Sequence, residues 1–357
     1  MSRLWNPSVR ALQPYTPGEQ PKLTNLTKLN TNESPYGPSP KAIEAIKDAA
    51  SDTLRLYPDP TSQGLRQAIA ECYDVGVENI FPGNGSDEVL AHVFRALFHP
   101  DEPVLFSDVT YGFYPIYCQM FDLPYRMIPL REDFSIHQED YTGPCGGIIL
   151  ANPNANTGML LPVEDIEALV KRHPDRTVVV DEAYVEFGGQ SAIPLIKRYD
   201  NLLIVRTFSK SSGLAGLRVG YAIGSEELID GLTRVKDSFN SYPLSRPAQA
   251  GAEASIRDTA WLEDTTRKII KTRDALIADL RQRGLTVLPS YANFILAHHP
   301  QHDAGKLAQA LRDQAIIVRY QGSSPRIKDW LRITIGTDHD SKRLLEALDL
   351  IEKNTRR

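Results

Sequence analysis

Lys210 follows the apolar run NLLIVRTFS (201–209) and sits among small polar residues in RTFSKSSGLAGLRVGY (206–221). An amine in that setting can act as a nucleophile that forms a Schiff base with an aldehyde. Thr207, Ser209 and Ser211 bring hydroxyls, and Arg218 brings a fixed positive charge that suits a phosphate. A lysine in a serine-rich loop is by itself more often a solvated charge. The arginine, and the apolar run that follows it, make the combination specific. In VVVDEAYVEF (178–187), Asp181 ends a β-branched run. That places it at the carboxyl end of a buried strand, where open α/β sheets bind ligands. A carboxylate there needs a charged or hydrogen-bonding partner, and a protonated pyridine nitrogen would be one. Tyr184, three residues on, can direct a phenol into the same space. The competing reading of Asp181 is a helix cap.

FPGNGSDEVL (81–90) joins two glycines to a helix opening at Ser86, which reads as the N-cap. Free N–H groups at a helix start bind anions, although Gly-Asn-Gly-Ser also reads as a plain turn. ANPNANTG (151–158) offers a tight turn dense in amides after another apolar run.

These segments must be held by something regular. The runs at 103–108, 125–130, 147–153, 177–183, 201–209 and 218–224 are rich in Val, Ile and Leu, and several are apolar on both faces. That is the signature of strands covered on both sides. Amphipathic stretches between them, such as PVEDIEALVKRH (162–173) with Pro162 near its start, predict helices and a mostly parallel sheet. Past about residue 245 a long helical stretch ends at Gly284, and the strands and helices that follow suit a smaller α+β domain. The expected division is an arm at 1–30, a large domain at 31–245 and a small domain at 246–357. The proline-rich arm has no core of its own and is expected to lie on the small domain, on a second subunit, or on both.

Composition narrows the function. The chain has 357 residues and a formal net charge of −5, which argues against a broad phosphate-backbone-binding face and hence against nucleic acid as a partner. No run of 18 apolar residues exists to span a membrane, and no leader pattern is visible. Three scattered cysteines (Cys72, Cys118, Cys145) and no CxxC pair point to reduced thiols, a cytoplasmic setting and no structural metal.

In order along the chain, LQPYTPG (12–18), LNTNESPYGPSP (29–40), RLYPDP (55–60), GNGSDE (83–88), NPNANTG (152–158), VVVDEAYVEF, RTFSKSSGLAGLRVGY, NFIL (293–296) and LRITIGT (331–337) resemble the motifs of one family. They are similar to those of the fold-type I pyridoxal-phosphate enzymes of the aspartate aminotransferase superfamily, and within it the histidinol-phosphate aminotransferase group. The resemblance spans nearly the whole chain. It implies a seven-stranded, mostly parallel sheet in an α/β/α sandwich beside a small α+β domain, and pyridoxal 5′-phosphate as cofactor.

It further implies that Lys210 holds the cofactor as an internal aldimine and carries the proton, that Asp181 pairs with the ring nitrogen, and that Tyr184 bonds the ring 3′-oxygen. Thr207, Ser209 and Arg218, with backbone N–H groups of Gly85, Ser86 and Asp87, would surround the phosphate. Tyr111 would stack on the ring, and Tyr57 would reach the phosphate of a neighbouring subunit in a homodimer with shared sites. One departure stands out. The amide that touches the 3′-oxygen in this group corresponds to Ala155, and the following proline to Asn156. Asn154 or Asn156 would then supply the amide, with Asn154 ranked first. Arg332, Arg319 and Tyr15 match substrate-binding positions, and an arginine held between Leu331 and Ile333 demands an anion in any case. The implied reaction is ping-pong transamination between L-histidinol phosphate and 2-oxoglutarate, giving imidazole acetol phosphate and L-glutamate in histidine biosynthesis. Threonine-phosphate decarboxylation, or transamination of aromatic or varied amino acids, would use the same framework.

Overall fold

Apolar runs of four to six residues become the strands of a large sheet, and the computed structural model describes them within residues 3–22 and 24–355. Residues 1, 2 and 23 of the expected arm, and 356 and 357 of the expected small domain, lie outside the described residues. In chain order the strands are β1 (Thr27–Leu29), β2 (Ile80–Gly83), β3 (Val104–Ser107), β4 (Tyr125–Ile128), β5 (Gly147–Ala151), β6 (Val178–Asp181), β7 (Leu202–Thr207) and β8 (Gly220–Ile223), then β9 (Thr286–Val287), β10 (Phe294–His298), β11 (Ile316–Tyr320) and β12 (Leu331–Thr334).

Among the described residues, seven strands form a sheet in the order β2-β8-β7-β6-β5-β3-β4. β3, β4, β5, β6 and β7 run parallel, and β8 is antiparallel to both β7 and β2. Every residue of β5, β6 and β7 is buried, as expected of strands with helices on both faces. β4 is the edge, with three of its four residues exposed. One apolar cluster joins Val179, Leu203 and Val205 to Val89 and Phe94 of the helix Ser86–Ala96. A second joins Val178, Val180 and Ile204 to Ile166 and Leu169 of the helix Val163–Arg172 on the opposite face. The alternation of strand residues between the two clusters is the period of two that a pleated strand imposes.

β2 was hidden in the sequence. Ile80–Gly83 contains a proline and a glycine and reads as a turn, yet it pairs with β8 and brings the loop after it to the sheet's carboxyl end. The helix that follows starts at Ser86, with Gly85 at the cap position and φ +87. The expected Ser86 cap is therefore corrected to Gly85. Glycine takes this left-handed conformation without a Cβ penalty, and Ser86 becomes the first helical residue.

The smaller sheet has the order β1-β11-β12-β10-β9. β1 runs parallel to β11, so the chain's early segment is built into the small sheet. Arg312 forms a two-pronged ion pair with Glu19, and Asn30 Nδ2 donates to the Glu19 carbonyl at 2.9 Å. The helix Arg246–Arg257 packs against the helices Pro40–Ala49 and Gln63–Tyr73 on the large layer, and the next helix, Thr259–Gln282, serves the small sheet. Between them Asp258 accepts from Ser39 Oγ at 2.5 Å and Lys41 Nζ at 3.1 Å. We propose that the two halves divide at Asp258 rather than at 245/246. No helix among the described residues is long and apolar enough to cross a membrane.

The backbone approaches closely at Gly220 of β8, beside the helix start. A Cβ there would meet the Ser86 backbone nitrogen at 2.3 Å and Gly85 C at 2.6 Å. Neither atom belongs to a flexible side chain, so Gly220→Ala is expected to displace the helix start and lower stability by about 1–3 kcal/mol. Urea unfolding of both proteins measures this, and a change below about 0.5 kcal/mol would mean that the turn yields freely.

Candidate functional site

The carboxyl ends of β5, β6 and β7 meet the loop after β2, and the residues that the sequence singled out converge there. An inner cavity is lined by Ser86, Asp87, Asp181, Thr207, Ser209 and Arg218, with Lys210, Tyr111 and Tyr184 closing its mouth. The same three residues line a larger outer cleft of about 430 Å³, which also meets Tyr15, Asn156, Arg319 and Arg332. Lys210 thus stands at the junction of the two spaces. Its Nζ lies 5.7 Å from the centre of the Tyr184 ring.

Asp181 closes the inner end. It is 5 % exposed, and its Oδ2 accepts from Tyr114 Oη at 2.9 Å while Oδ1 accepts from the Ala183 N–H at 3.2 Å. No cation pairs with it among the described residues. Burial pushes its pKa up to about 6. Burial, with the adjacent Asp181 charge, raises the Tyr114 phenol well above its ordinary range, so Tyr114 stays a donor. A buried carboxylate with only neutral donors calls for a positive charge in the cavity.

At the other end of the inner cavity, Arg218 Nη2 meets Asp87 Oδ2 at 3.1 Å and its Nη1 lies 3.4 Å from Ser209 Oγ. Asp87 Oδ1 accepts from Tyr111 Oη at 2.7 Å, and Thr207 Oγ1 accepts from the Ser209 N–H at 3.1 Å. The first-turn N–H groups of the helix Ser86–Ala96 face the same space, so hydroxyls, a guanidinium and a helix start converge on one anion-sized volume. Gly85 departs from the expectation. Its N–H is already given to the Gly83 carbonyl at 2.8 Å, so it shapes the turn instead of donating to a ligand. A Cβ at Gly85 would lie 2.5 Å from Arg218 Nη2.

Neither amide lines the inner cavity. Asn154 is buried inside its own turn, where Nδ2 donates to the Val109 carbonyl at 2.8 Å and Oδ1 accepts from the N–H groups of Asn156 and Thr157, both at 3.0 Å. Its side chain serves the turn, and it borders neither cavity. Asn156 faces the outer cleft, and the methyl of Ala155 faces the inner one.

In the outer cleft, Arg319 and Arg332 are direct cross-strand partners on β11 and β12. Like charges side by side repel, and neither has a carboxylate partner among the described residues. Arg332 donates only to neutral oxygens, its Nε is buried without a partner, and burial lowers its pKa. Arg319 Nη2 reaches the Thr16 carbonyl at 3.4 Å. Tyr15 stacks on Phe113 with centroids 4.4 Å apart, which holds the early segment over the cleft. Tyr57 is not brought in. It is 77 % exposed and stacks on Tyr242, outside its own chain's cavity.

Two contributors escaped sequence reasoning. Asn32 is buried with φ +56, and its Nδ2 donates to Tyr184 Oη at 3.0 Å. It is in turn held by Thr334 and Asn293. Tyr114 holds Asp181. Asn32 lies in a motif whose resemblance was visible but whose individual side chains were not; Tyr114 reads as one more core aromatic.

The family model of aminotransferase class I and II matches residues 24–348. A histidinol-phosphate aminotransferase 2 of Gluconobacter oxydans is 66% identical over 348 residues, covering 98% of each chain. A crystal structure of histidinol-phosphate aminotransferase from Sinorhizobium meliloti in complex with pyridoxal-5′-phosphate superposes with a TM-score of 0.88 at 27% identity, over 99% of both chains. The L-threonine-O-3-phosphate decarboxylase of Porphyromonas gingivalis has a TM-score of 0.80 at 22% identity, covering 92% of this chain and all of its own, and shares the fold. With the family model matching most of its length, and with a relative identical at two positions in three, this chain belongs to the class I and II aminotransferases, in their histidinol-phosphate aminotransferase branch.

Proposed function

We propose that the protein is a pyridoxal-phosphate-dependent aminotransferase that exchanges an amino group between L-histidinol phosphate and 2-oxoglutarate. The observation that carries this reading is the order of charges along the site: a buried carboxylate at the closed end, a lysine amine at the junction, and two uncompensated arginines in the open cleft. The cofactor fits the inner cavity by chemistry. Asp181 lacks a cation that a protonated ring nitrogen would supply, and Ser86, Asp87, Ser209, Thr207 and Arg218 surround the volume suited to a phosphate. When bound, pyridoxal phosphate supplies a carbonyl that takes up amines and a ring that accepts the electron pair left on the donor's Cα.

The chain's own groups then divide the work. Lys210 Nζ attaches the cofactor and, once released by the donor amine, accepts the proton from the donor's Cα and returns it during exchange. Asp181 keeps the ring nitrogen protonated, with Tyr114 holding the carboxylate in place. Tyr184, oriented by Asn32, offers its phenol to the ring oxygen. Tyr111 forms part of the ring's wall. Arg319 and Arg332, with Tyr15 above them, take the substrate's anion, first the distal phosphate of the donor and then a carboxylate of the acceptor. A planar guanidinium pairs with either.

We also propose a homodimer in which Tyr57 serves the partner's site. Its exposed ring, and the exposed Leu54, Leu56 and Phe239 nearby in sequence or packing, suit burial against a second copy. The free thiols Cys118 and Cys145 suit the reducing cytoplasm.

Adding L-histidinol phosphate alone to the holoenzyme should bleach the absorbance of the lysine-bound cofactor, and 2-oxoglutarate should restore it. L-threonine phosphate giving carbon dioxide, or phenylalanine reacting while histidinol phosphate does not, would defeat the substrate assignment.

Sharing of sites is tested by mixing inactive Lys210→Ala protein with an impaired Tyr57→Ala variant. One hybrid site regains native Lys210 and Tyr57 together, so activity should return after subunit exchange. No return, with hybrids shown to form, would mean that each chain builds its site alone.

Asp181 gives a pH prediction for the cofactor-free protein. Its folded pKa of about 6 lies above the ordinary 3.8 of a free aspartate, so the folded state holds the proton more tightly. The resulting stability is fully present below about 3.8 and is lost as pH rises through about 6. Asp181→Asn removes this dependence. Its stability relative to wild type should rise by about 2 kcal/mol between about pH 4.5 and 7.5. Urea unfolding at the two pH values measures it, and a pH-independent difference would mean that the carboxylate is well solvated.

A further inference from the structure

Asn156, in the turn after β5, borders the outer cleft with its side chain bonded on two sides. Its Nδ2 donates to the Thr110 carbonyl at 2.5 Å on the large half. A carbonyl only accepts, so this bond fixes which way the amide points and turns Oδ1 toward the small half. There Oδ1 receives Arg332 Nη1 at 3.3 Å and Gln321 Nε2 at 3.4 Å. The same Arg332 Nη1 lies 3.2 Å from the Ala155 carbonyl, and Nη2 lies 3.5 Å from the Asn30 carbonyl. The guanidinium also covers the Phe294 ring at 5.3 Å.

We propose that Asn156 is a positioning residue that holds Arg332 and Gln321 across the cleft in the orientation that receives the substrate's anion. The inference rests on the aminotransferase reading and adds to it how the arginine is kept ready.

The chemistry of the holder matters. An arginine packed against Arg319 and half-buried needs restraint, and a carboxylate would be the strongest choice. A carboxylate would also neutralise the charge that the incoming anion requires, and would repel that anion. An amide oxygen restrains the guanidinium and leaves its charge whole. Because Asn156 bonds the large half on one side and the small half on the other, it also fixes the spacing between Lys210 and Arg332, the two groups that one substrate must span. Gln321, drawn to the same oxygen, brings the segment after β11 over the cleft.

The test uses Asn156→Ala and Asn156→Asp holoenzymes. Half-reactions are followed with L-histidinol phosphate and with glutamate, and succinate and inorganic phosphate serve as unreactive probes read through the cofactor's absorbance. Asn156→Ala should raise KM for both substrates and weaken succinate binding by about 10-fold, the size of one lost charge-assisted contact, while kcat stays within about 3-fold. Asn156→Asp keeps the shape and places a negative charge beside Arg332. It should weaken anion binding by about 100-fold, and inorganic phosphate more than succinate.

Unchanged binding in the Asp variant would overturn the proposal even if the Ala variant folds poorly. So would a loss confined to kcat in the Ala variant, which would mark Asn156 as a shaper of the turn. Should wild-type enzyme ignore histidinol phosphate, the substrate assignment fails by itself, and the glutamate and succinate measurements still decide the role of Asn156.

Discussion

A carboxylate taken out of water sets the terms for this molecule. Asp181 sits at the end of a strand whose every residue is buried, with a phenol and one backbone N–H for company. Leaving it charged costs free energy, and its raised pKa records that cost. The surrounding structure keeps the cost tolerable without removing it. Tyr114 is pinned in the core to donate to it, and the cavity is open on the side where a cationic ring would arrive. The unfavourable charge of the empty site is thus the attractive force of the loaded one. The helix start at Ser86, the Arg218–Asp87 pair and the Lys210 amine are arranged around the same vacancy in charge, each at the end of a different strand.

The large sheet was legible because its strands are apolar on both faces and carry their chemical residues at one end. Asp181 at the end of β6 and Lys210 after β7 could be placed from local pattern alone, since neighbouring parallel strands bring their carboxyl ends together. Other features failed for specific reasons. β2 contains Pro82 and Gly83 and looks like a loop; only its pairing with β8 makes it a strand. Ser86 has the chemistry of a cap, but the cap itself takes φ +87 and lies against Arg218, which favours glycine there and places Ser86 one residue inward. Asn154 and Asn156 have identical side chains two positions apart, and only the fold decides that one is spent within the turn. The proposed junction at Asp258 rests on the packing of the helix Arg246–Arg257, which has no sequence mark telling which layer it joins.

At the site the two halves are tied by polar contacts as well as by apolar packing such as Tyr184 against Phe294. Asn32 links Tyr184 to Thr334 and Asn293, and Asn156 links Thr110 to Arg332. Such bonds are individually worth about 0.5–1.5 kcal/mol, and they are directional. They set distance and angle between lysine and arginines, which a greasy interface would leave loose. The arginines on adjacent strands repel each other, so the cleft gains stability when an anion lies between them. Binding and closure of the site are therefore favoured by the same charge.

The pairing of β1 with β11 has a consequence for how the protein is made. Thr27 lies against Ile316, at opposite ends of the reading frame. During synthesis β1 emerges long before its partner exists, and closing a loop over that span costs more entropy than pairing neighbouring strands. The early segment must travel unpaired while the large sheet assembles, with Tyr15 and Thr16 still away from the cleft. The ribosome thus delivers a chain whose cofactor-binding half can consolidate first, and whose anion-binding half is finished only when the last strands appear.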